Sequence, residues 1–362
     1  MNLRLTLAAA AALIALPALA QDKVVHIYNW SDYIADDTVK KFEEATGIKV
    51  VYDVYDSNET LEAKLLAGNS GYDVVLPTSQ FLRRQIEAGV YQPLNKALLP
   101  NLANMDPDLM KTAAAYDEDN AHSVIYMLLT TGIGYNVDKV KERLGDTAPT
   151  DSWALIFDPA NAEKLKDCGI ALLDSASDVL PSALAYLGLD PTSVAPDDLE
   201  KAAALVEGIR PYVRYFHSSQ YISDLANGEI CVALGYSGDV FIAKSRAEET
   251  GNGNVIAYSI PKEGSLLSFD MMAIPADAPN PEAAHAWINF IMDPKITADI
   301  SNYVFYANAN PASREFVDPA ILNDPSIFPP AAVQAELFPS VTHDARTDRL
   351  ITRLWTRIRT GQ

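Results

Sequence analysis

The sequence predicts an α/β protein built as two lobes. Apolar stretches of strand length alternate with helical stretches, and this alternation occurs in both halves of the chain. At 362 residues the chain is too long for one small domain and suits two. No low-complexity or flexible linker separates the halves, so the lobes are expected to be joined by strands that cross between them. With 49% apolar and 21% charged residues, the chain can bury a large core.

Residues 24–28 read as a strand that ends at Asn29-Trp30-Ser31-Asp32-Tyr33. Residues 38–45 read as a helix stopped by Gly47. The next strand is 48–54, and Asn58 is placed to cap a helix running to Leu66. Residues 72–76 form a buried strand broken by Pro77, and 81–87 a helix ended by Gly89. In the second half, 169–173 is a strand followed by Asp174-Ser175-Ala176-Ser177-Asp178 and a helix from Val179. Residues 230–234 form a strand followed by Gly235-Tyr236-Ser237-Gly238-Asp239 and a helix through Glu248. Residues 265–274 are a strand and 281–292 a helix, and the crossing segments are expected at 130–136 and 255–260. This order argues for mostly parallel sheets with helices on both faces. Ligands of such sheets sit beyond the carboxyl ends of the strands.

The N-terminus reads as an export signal. A short positive region containing Arg4 precedes the apolar run 5–16, and Ala18-Leu19-Ala20 fits a cleavage site before Gln21. The run is too short for a membrane anchor. Cleavage after Ala20 would leave 27 basic and 48 acidic residues, a charge of −21. No cysteine follows the site, so no lipid attachment is expected, and the product is expected to be soluble in the periplasm. Its acidity argues against nucleic acid and anionic lipid surfaces and favours cations. Cys168 and Cys231 are an even count in an oxidising compartment, which reads as a disulfide, two buried thiols being the alternative.

Several chemistries lack their residues. The five histidines do not pair at helical spacing or neighbour a cysteine, so no metal site is expected. No phosphate loop or dinucleotide fingerprint is present, so no cofactor is expected. Gly235-Tyr236-Ser237-Gly238-Asp239 imitates a nucleophile elbow but ends in Asp where Gly is required.

What is present is a set of carboxylates at strand-to-helix turns beside aromatics. Asp32 lies between Trp30 and Tyr33, Asp178 and Asp239 each precede a helix, and Asp270 sits in an apolar strand with Ser268 on its face. Helix-dipole acids explain Asp178 and Asp239 plainly, and a solvated loop explains Asp32. Asp270 needs a partner if buried, and a ligand ammonium is one. Trp30, Tyr33, Tyr236 and Tyr306 can wall such a cation, core packing being their plainer role.

Long runs then carry a resemblance. They include 28–34 (Tyr28-Asn29-Trp30-Ser31-Asp32-Tyr33-Ile34), Tyr55-Asp56-Ser57-Asn58-Glu59, 130–140, 214–221 and 304–310. Through them nearly the whole mature chain resembles the periplasmic putrescine-binding proteins of bacterial polyamine ABC transporters, the PotF type. The resemblance implies a type II periplasmic binding protein with a hinge between its lobes, each lobe a mostly parallel sheet flanked by helices. The expected division is a signal peptide over 1–20, one lobe from 21–131 with 258–304, and the other from 132–257 with 305–362. It also implies a disulfide at the positions of Cys168 and Cys231. The protein would be a monomer that delivers its ligand to an inner-membrane ABC permease, with no enzymatic activity.

The family's ligand contacts fall on Trp30, Ser31, Asp32, Tyr33, Thr78, Asp178, Ser218, Tyr236, Asp239, Ser268, Asp270 and Tyr306. Thr78 replaces the usual Ser, Asp178 a Glu, Tyr236 a Trp and Ser268 a large aromatic. The expected arrangement sets Asp239 and Asp270 at one ammonium, with Asp32, Ser31 and Thr78 around the other end and Asp178 nearby. Putrescine is the first ligand expected. Spermidine, agmatine, a polyamine sensor role and a periplasmic hydrolase using Asp239 and Asp270 are the alternatives.

Overall fold

The computed structural model describes residues 23–361 apart from 331, 332, 334 and 335. The leader read at 1–20 lies outside the described residues. One mixed ten-stranded sheet runs through the molecule. Its strands are β1 (Val24–Trp30), β2 (Lys49–Tyr55), β3 (Val74–Val75), β4 (Ser123–Asn136), β5 (Ile170–Leu172), β6 (Val213–Phe216), β7 (Val232–Tyr236), β8 (Ile256–Ser259), β9 (Ser265–Ala273) and β10 (Leu337–Pro339).

Three strands of the first half, β2-β1-β3, are parallel. Three of the second half, β7-β5-β6, are parallel too. Between them lie β9 and β4, antiparallel to each other, β9 antiparallel to β3 and β4 antiparallel to β7. β4 therefore leads away from the first set, and β7 returns along it toward the middle. The carboxyl ends of both parallel sets face the same central cleft, which β4 and β9 cross.

The buried apolar residues form two main clusters on either side of that cleft. One holds Ile27, Val74, Met127, Phe269 and Trp287; the other holds Trp153, Ile170, Val232, Leu234 and Leu354. β4 enters both, with Met127 in the first and Ile133 in the second. Full burial of such side chains contributes roughly 1.5–3 kcal/mol each, so each lobe has a core of its own.

The strand–helix alternation read from the sequence is present, with differences that have physical causes. The crossing strand expected at 130–136 extends back to Ser123, because its apolar first half lies in the first core. The segment expected to cross at 255–260 contains β8, which pairs only with the far half of β4. The returning strand is β9, paired with β4 from Ser123 to Thr131. Each lobe thus keeps its parallel set, and β4 and β9 join the two sets into one continuous mixed sheet. Helix Thr38–Thr46 ends as expected at Gly47, whose φ of 70° is left-handed and whose N–H donates to the Glu43 carbonyl. Helix Asn58–Leu66 is capped by Ser57, which accepts from the Thr60 N–H at 3.2 Å; Asn58 is used elsewhere.

The disulfide joins Cys168 to Cys231, with Cα atoms 5.6 Å apart. It ties the amino ends of β5 and β7, the ends remote from the cleft. Closing a loop of this length stabilises by at most roughly 4 kcal/mol. Replacing both cysteines by Ser should therefore lower unfolding free energy by up to about 4 kcal/mol while leaving ligand affinity of the folded protein unchanged. Chemical denaturation with parallel titration calorimetry checks both halves of that expectation.

Candidate ligand-binding site

A cavity of about 540 Å³ lies in the cleft. Residues just beyond the carboxyl ends of β1, β2, β3, β5, β6 and β7 all reach it: Ser31 and Tyr33, Asp56 and Asn58, Thr78, Asp178, Ser218, and Asp239. The two crossing strands supply Leu129, Ser268 and Asp270 from their middles.

Three carboxylates in this lining are buried, and each is held by hydroxyl groups alone. Asp270 accepts from the Tyr33 hydroxyl at 2.9 Å and from Thr78 Oγ1 at 2.8 Å. Thr78 is aimed by Asn58, whose side-chain amide donates to Thr78 Oγ1 and accepts from the Thr78 N–H. With that hydroxyl's acceptor role filled by Asn58, its proton is left to point at Asp270. Asp239 accepts from the Tyr221 hydroxyl at 2.6 Å and the Tyr306 hydroxyl at 2.8 Å. Asp178 accepts from Ser175 at 2.5 Å, Thr131 at 2.7 Å and the Tyr236 hydroxyl at 3.2 Å. Among the described residues no Lys, Arg or His forms an ion pair with any of the three.

Burial without a counter-ion raises their pKa values. Asp270 is pushed up to about 7 by desolvation, against its two hydroxyl bonds. Asp239 is pushed up to about 6 for the same reason. Asp178 is also raised by desolvation, opposed by its three hydroxyl donors.

The glycines of Gly235-Tyr236-Ser237-Gly238-Asp239 have a steric purpose here. A Cβ on Gly235 would overlap the Tyr221 ring, and one on Gly238 would overlap the Tyr306 ring. Those are the two rings whose hydroxyls hold Asp239. The motif that imitates a nucleophile elbow is a cradle for two tyrosines.

Aromatic groups line the remaining walls. Trp30 packs on Tyr55 with centroids 4.7 Å apart, and both donate to the Leu76 carbonyl. Tyr33 meets Tyr306 edge-on at 4.9 Å. Such rings cover an alkyl chain and attract a cation, at about 0.5–2 kcal/mol per ring.

Eleven of the sequence-selected residues meet in this cavity: Trp30, Ser31, Tyr33, Thr78, Asp178, Ser218, Tyr236, Asp239, Ser268, Asp270 and Tyr306. Asp32 is not among the lining residues. Its φ is 54°, and its carboxylate meets Arg246 of helix Ser237–Thr250 at 2.7 Å. That ion pair joins a loop of the first lobe to a helix of the second. Thr78 lies against Asp270 rather than at a separate end. Sequence reasoning did not select Tyr55, Asp56, Asn58, Gln80, Leu129 or Ser219, which also line the cavity, or Tyr221 and Thr131 behind it. Tyr55, Asp56, Asn58, Ser219 and Tyr221 stand inside the runs that carry the family resemblance, which was the available signal.

Comparison with known proteins adds to this geometry. Residues 37–329 match the family described as bacterial extracellular solute-binding protein. The chain belongs to this family. It is 56% identical over 99% of its length to the putrescine-binding periplasmic protein SpuD of Pseudomonas aeruginosa, covering 98% of that protein. It is 53% identical over 95% of its length to the putrescine-binding periplasmic protein PotF of Escherichia coli, covering 93% of it. Among solved structures, the spermidine/putrescine ABC transporter substrate-binding protein PotD of Streptococcus pneumoniae superposes with a TM-score of 0.74 at 25% identity, over 93% of this chain and 99% of that one. These relatives are solute-binding proteins, not enzymes. The resemblance and the two-lobed binding-protein fold read from the sequence are both borne out.

In this solute-binding protein the three buried acids and the exposed one should behave differently. Asp239→Asn or Asp270→Asn should weaken ligand binding by about 2–5 kcal/mol, because a desolvated cation loses its counter-charge. Asp32→Asn removes a half-exposed ion pair and should cost no more than about 1 kcal/mol. Calorimetry on the three variants checks the ranking; equal losses would mean that only net charge attracts the ligand.

Proposed function

We propose that this solute-binding protein captures putrescine or a closely related polyamine between its lobes in the periplasm and delivers it to an ABC permease of the inner membrane. It acts as a monomer after removal of its leader at Ala20. The observation that carries the reading is the set of three buried carboxylates, none of which forms an ion pair among the described residues. A dication joined by an apolar chain completes such a site. Its ammonium groups supply the missing charge, and the aromatic walls cover the methylenes. The names of the two relatives above 50% identity point to the same ligand. Asp239 and Asp270 face one ammonium, while Asp178 with Ser218 faces the other. Each lobe contributes, so the ligand binds the closed arrangement better than the open one and shifts the population toward it.

The reading has a direct test. Putrescine should raise the thermal transition and reduce the radius of gyration measured by small-angle scattering. No compaction with any polyamine, or far tighter binding of an amino acid, would remove it. Mass spectrometry of the recovered ligand should return it unmodified.

The raised pKa values give a second expectation. Above about pH 4 the unfolded chain has released its carboxyl protons. The ligand-free fold still holds them, until pH passes about 6 at Asp239 and about 7 at Asp270. The contribution of these groups to ligand-free stability therefore falls as pH rises through that window. A bound dication requires the ionised forms. Affinity should then climb by at least about tenfold between pH 5 and pH 8, with proton release on binding near pH 6 and little at pH 8. Calorimetry in buffers of different ionisation enthalpy reads the proton count.

A further inference from the structure

The cavity holds two buried polar atoms that no group among the described residues satisfies. One is Ser218 Oγ, beyond β6 in the second lobe. The other is Oε1 of Gln80, in the first lobe. Both residues are about 93% buried, with 7% of their surface exposed. A buried acceptor left without a donor costs about 1–3 kcal/mol. Two in one cavity indicate that the occupant supplies N–H groups there as well as at the carboxylates.

Gln80 has a second property. It is the second residue of helix Ser79–Glu87, two positions after the Thr78 that holds Asp270. It lines the ligand cavity and also an outer cleft between the lobes, which carries Glu59, Glu62 and Asp348. Arg84 is drawn to Glu62 at 2.5 Å and to Asp348 at 3.5 Å, while Glu59 forms no ion pair among the described residues. The Gln80 side chain thus stands in the partition between a cavity suited to one diamine and a cleft that offers a carboxylate to a further nitrogen.

We infer that Gln80 sets the length of polyamine the site accepts, taking an N–H of the ligand's far nitrogen on Oε1 and closing the passage to the outer cleft with its bulk. The inference rests on the polyamine reading of the cavity and adds a residue to it. A four-carbon diamine ends at Gln80. A triamine would have to displace the side chain to bring its third nitrogen toward Glu59.

Two substitutions separate the acceptor from the bulk. Gln80→Leu keeps comparable volume and removes the acceptor. It should weaken putrescine binding about three- to tenfold and leave the preference for putrescine over spermidine as in the wild type. Gln80→Ala opens the partition and should shrink that preference by about tenfold or more, through a gain for spermidine. The measurement is titration of putrescine, cadaverine and spermidine into the wild type and both variants. Wild-type binding of spermidine as tight as putrescine overturns the length limit. So does an unchanged ratio in Gln80→Ala. Unaltered putrescine affinity in Gln80→Leu overturns the acceptor role. If the wild type binds no polyamine, the underlying reading fails and this inference fails with it. If putrescine binds and the ratios stay fixed, only the inference fails.

Discussion

Removing a carboxylate from water without a counter-ion costs several kcal/mol, and this protein does it three times in one cleft. The rest of the site follows from how that cost is contained. Hydroxyl donors are the chosen neighbours: Tyr33 and Thr78 for Asp270, Tyr221 and Tyr306 for Asp239, and Ser175, Thr131 and Tyr236 for Asp178. A hydroxyl fixes where the carboxylate oxygens point but brings no positive charge. An arginine in the same place would satisfy the acid and close the site to cations. The arrangement therefore keeps the carboxylates oriented while their charge stays unmatched, and the raised pKa values of Asp239 and Asp270 record that deficit.

Positioning the acids falls to the sheet. Parallel strands deliver their carboxyl-end turns to one edge, and two parallel sets facing each other across β4 and β9 deliver six turns to one cleft. Asp270 is the exception, since it lies within β9. It reaches the cavity because β9 itself crosses the gap, paired with β4 near Met127 and bridged to Thr78. A charged residue in the middle of a crossing strand is protected from water by both lobes at once. That accounts for Asp270 being pushed further up, to about 7, than Asp239, at about 6.

Much of this was legible in the sequence, for local reasons. The turns bearing Trp30 to Tyr33, Asp178 and Asp239 follow apolar runs, and Asp270 stands out because its neighbours are apolar. What stayed hidden depends on contacts distant in the chain. Asn58 reads as a helix cap, yet its side chain serves Thr78, 20 residues on. Asp32 reads as a ligand contact, and no local pattern announces that its carboxylate meets Arg246, 214 residues away. Gly235 and Gly238 read as a failed catalytic motif because the tyrosines they admit come from other elements. The full extent of β4 was missed because an apolar run shared by two cores has no alternation to mark it as a strand.

Two of the departures from the family pattern touch each other. Tyr236 stands where Trp is usual and Asp178 where Glu is usual, and the Tyr236 hydroxyl donates to the Asp178 carboxylate. The shorter acid gains a donor that the indole-to-phenol exchange supplies, so its orientation is kept although its reach is reduced. Ser268 has no such compensation. It is buried opposite Leu129 in the β4–β9 ladder and lines the cavity. The closing force follows the same logic. The exposed Asp32–Arg246 pair is worth about 1 kcal/mol at most, too little to hold two lobes together by itself. Neutralising buried carboxylates is worth several times more. Under the proposed function, closure is governed by whether the cavity holds a cation, which is the condition for a receptor whose closed form reports that it is loaded.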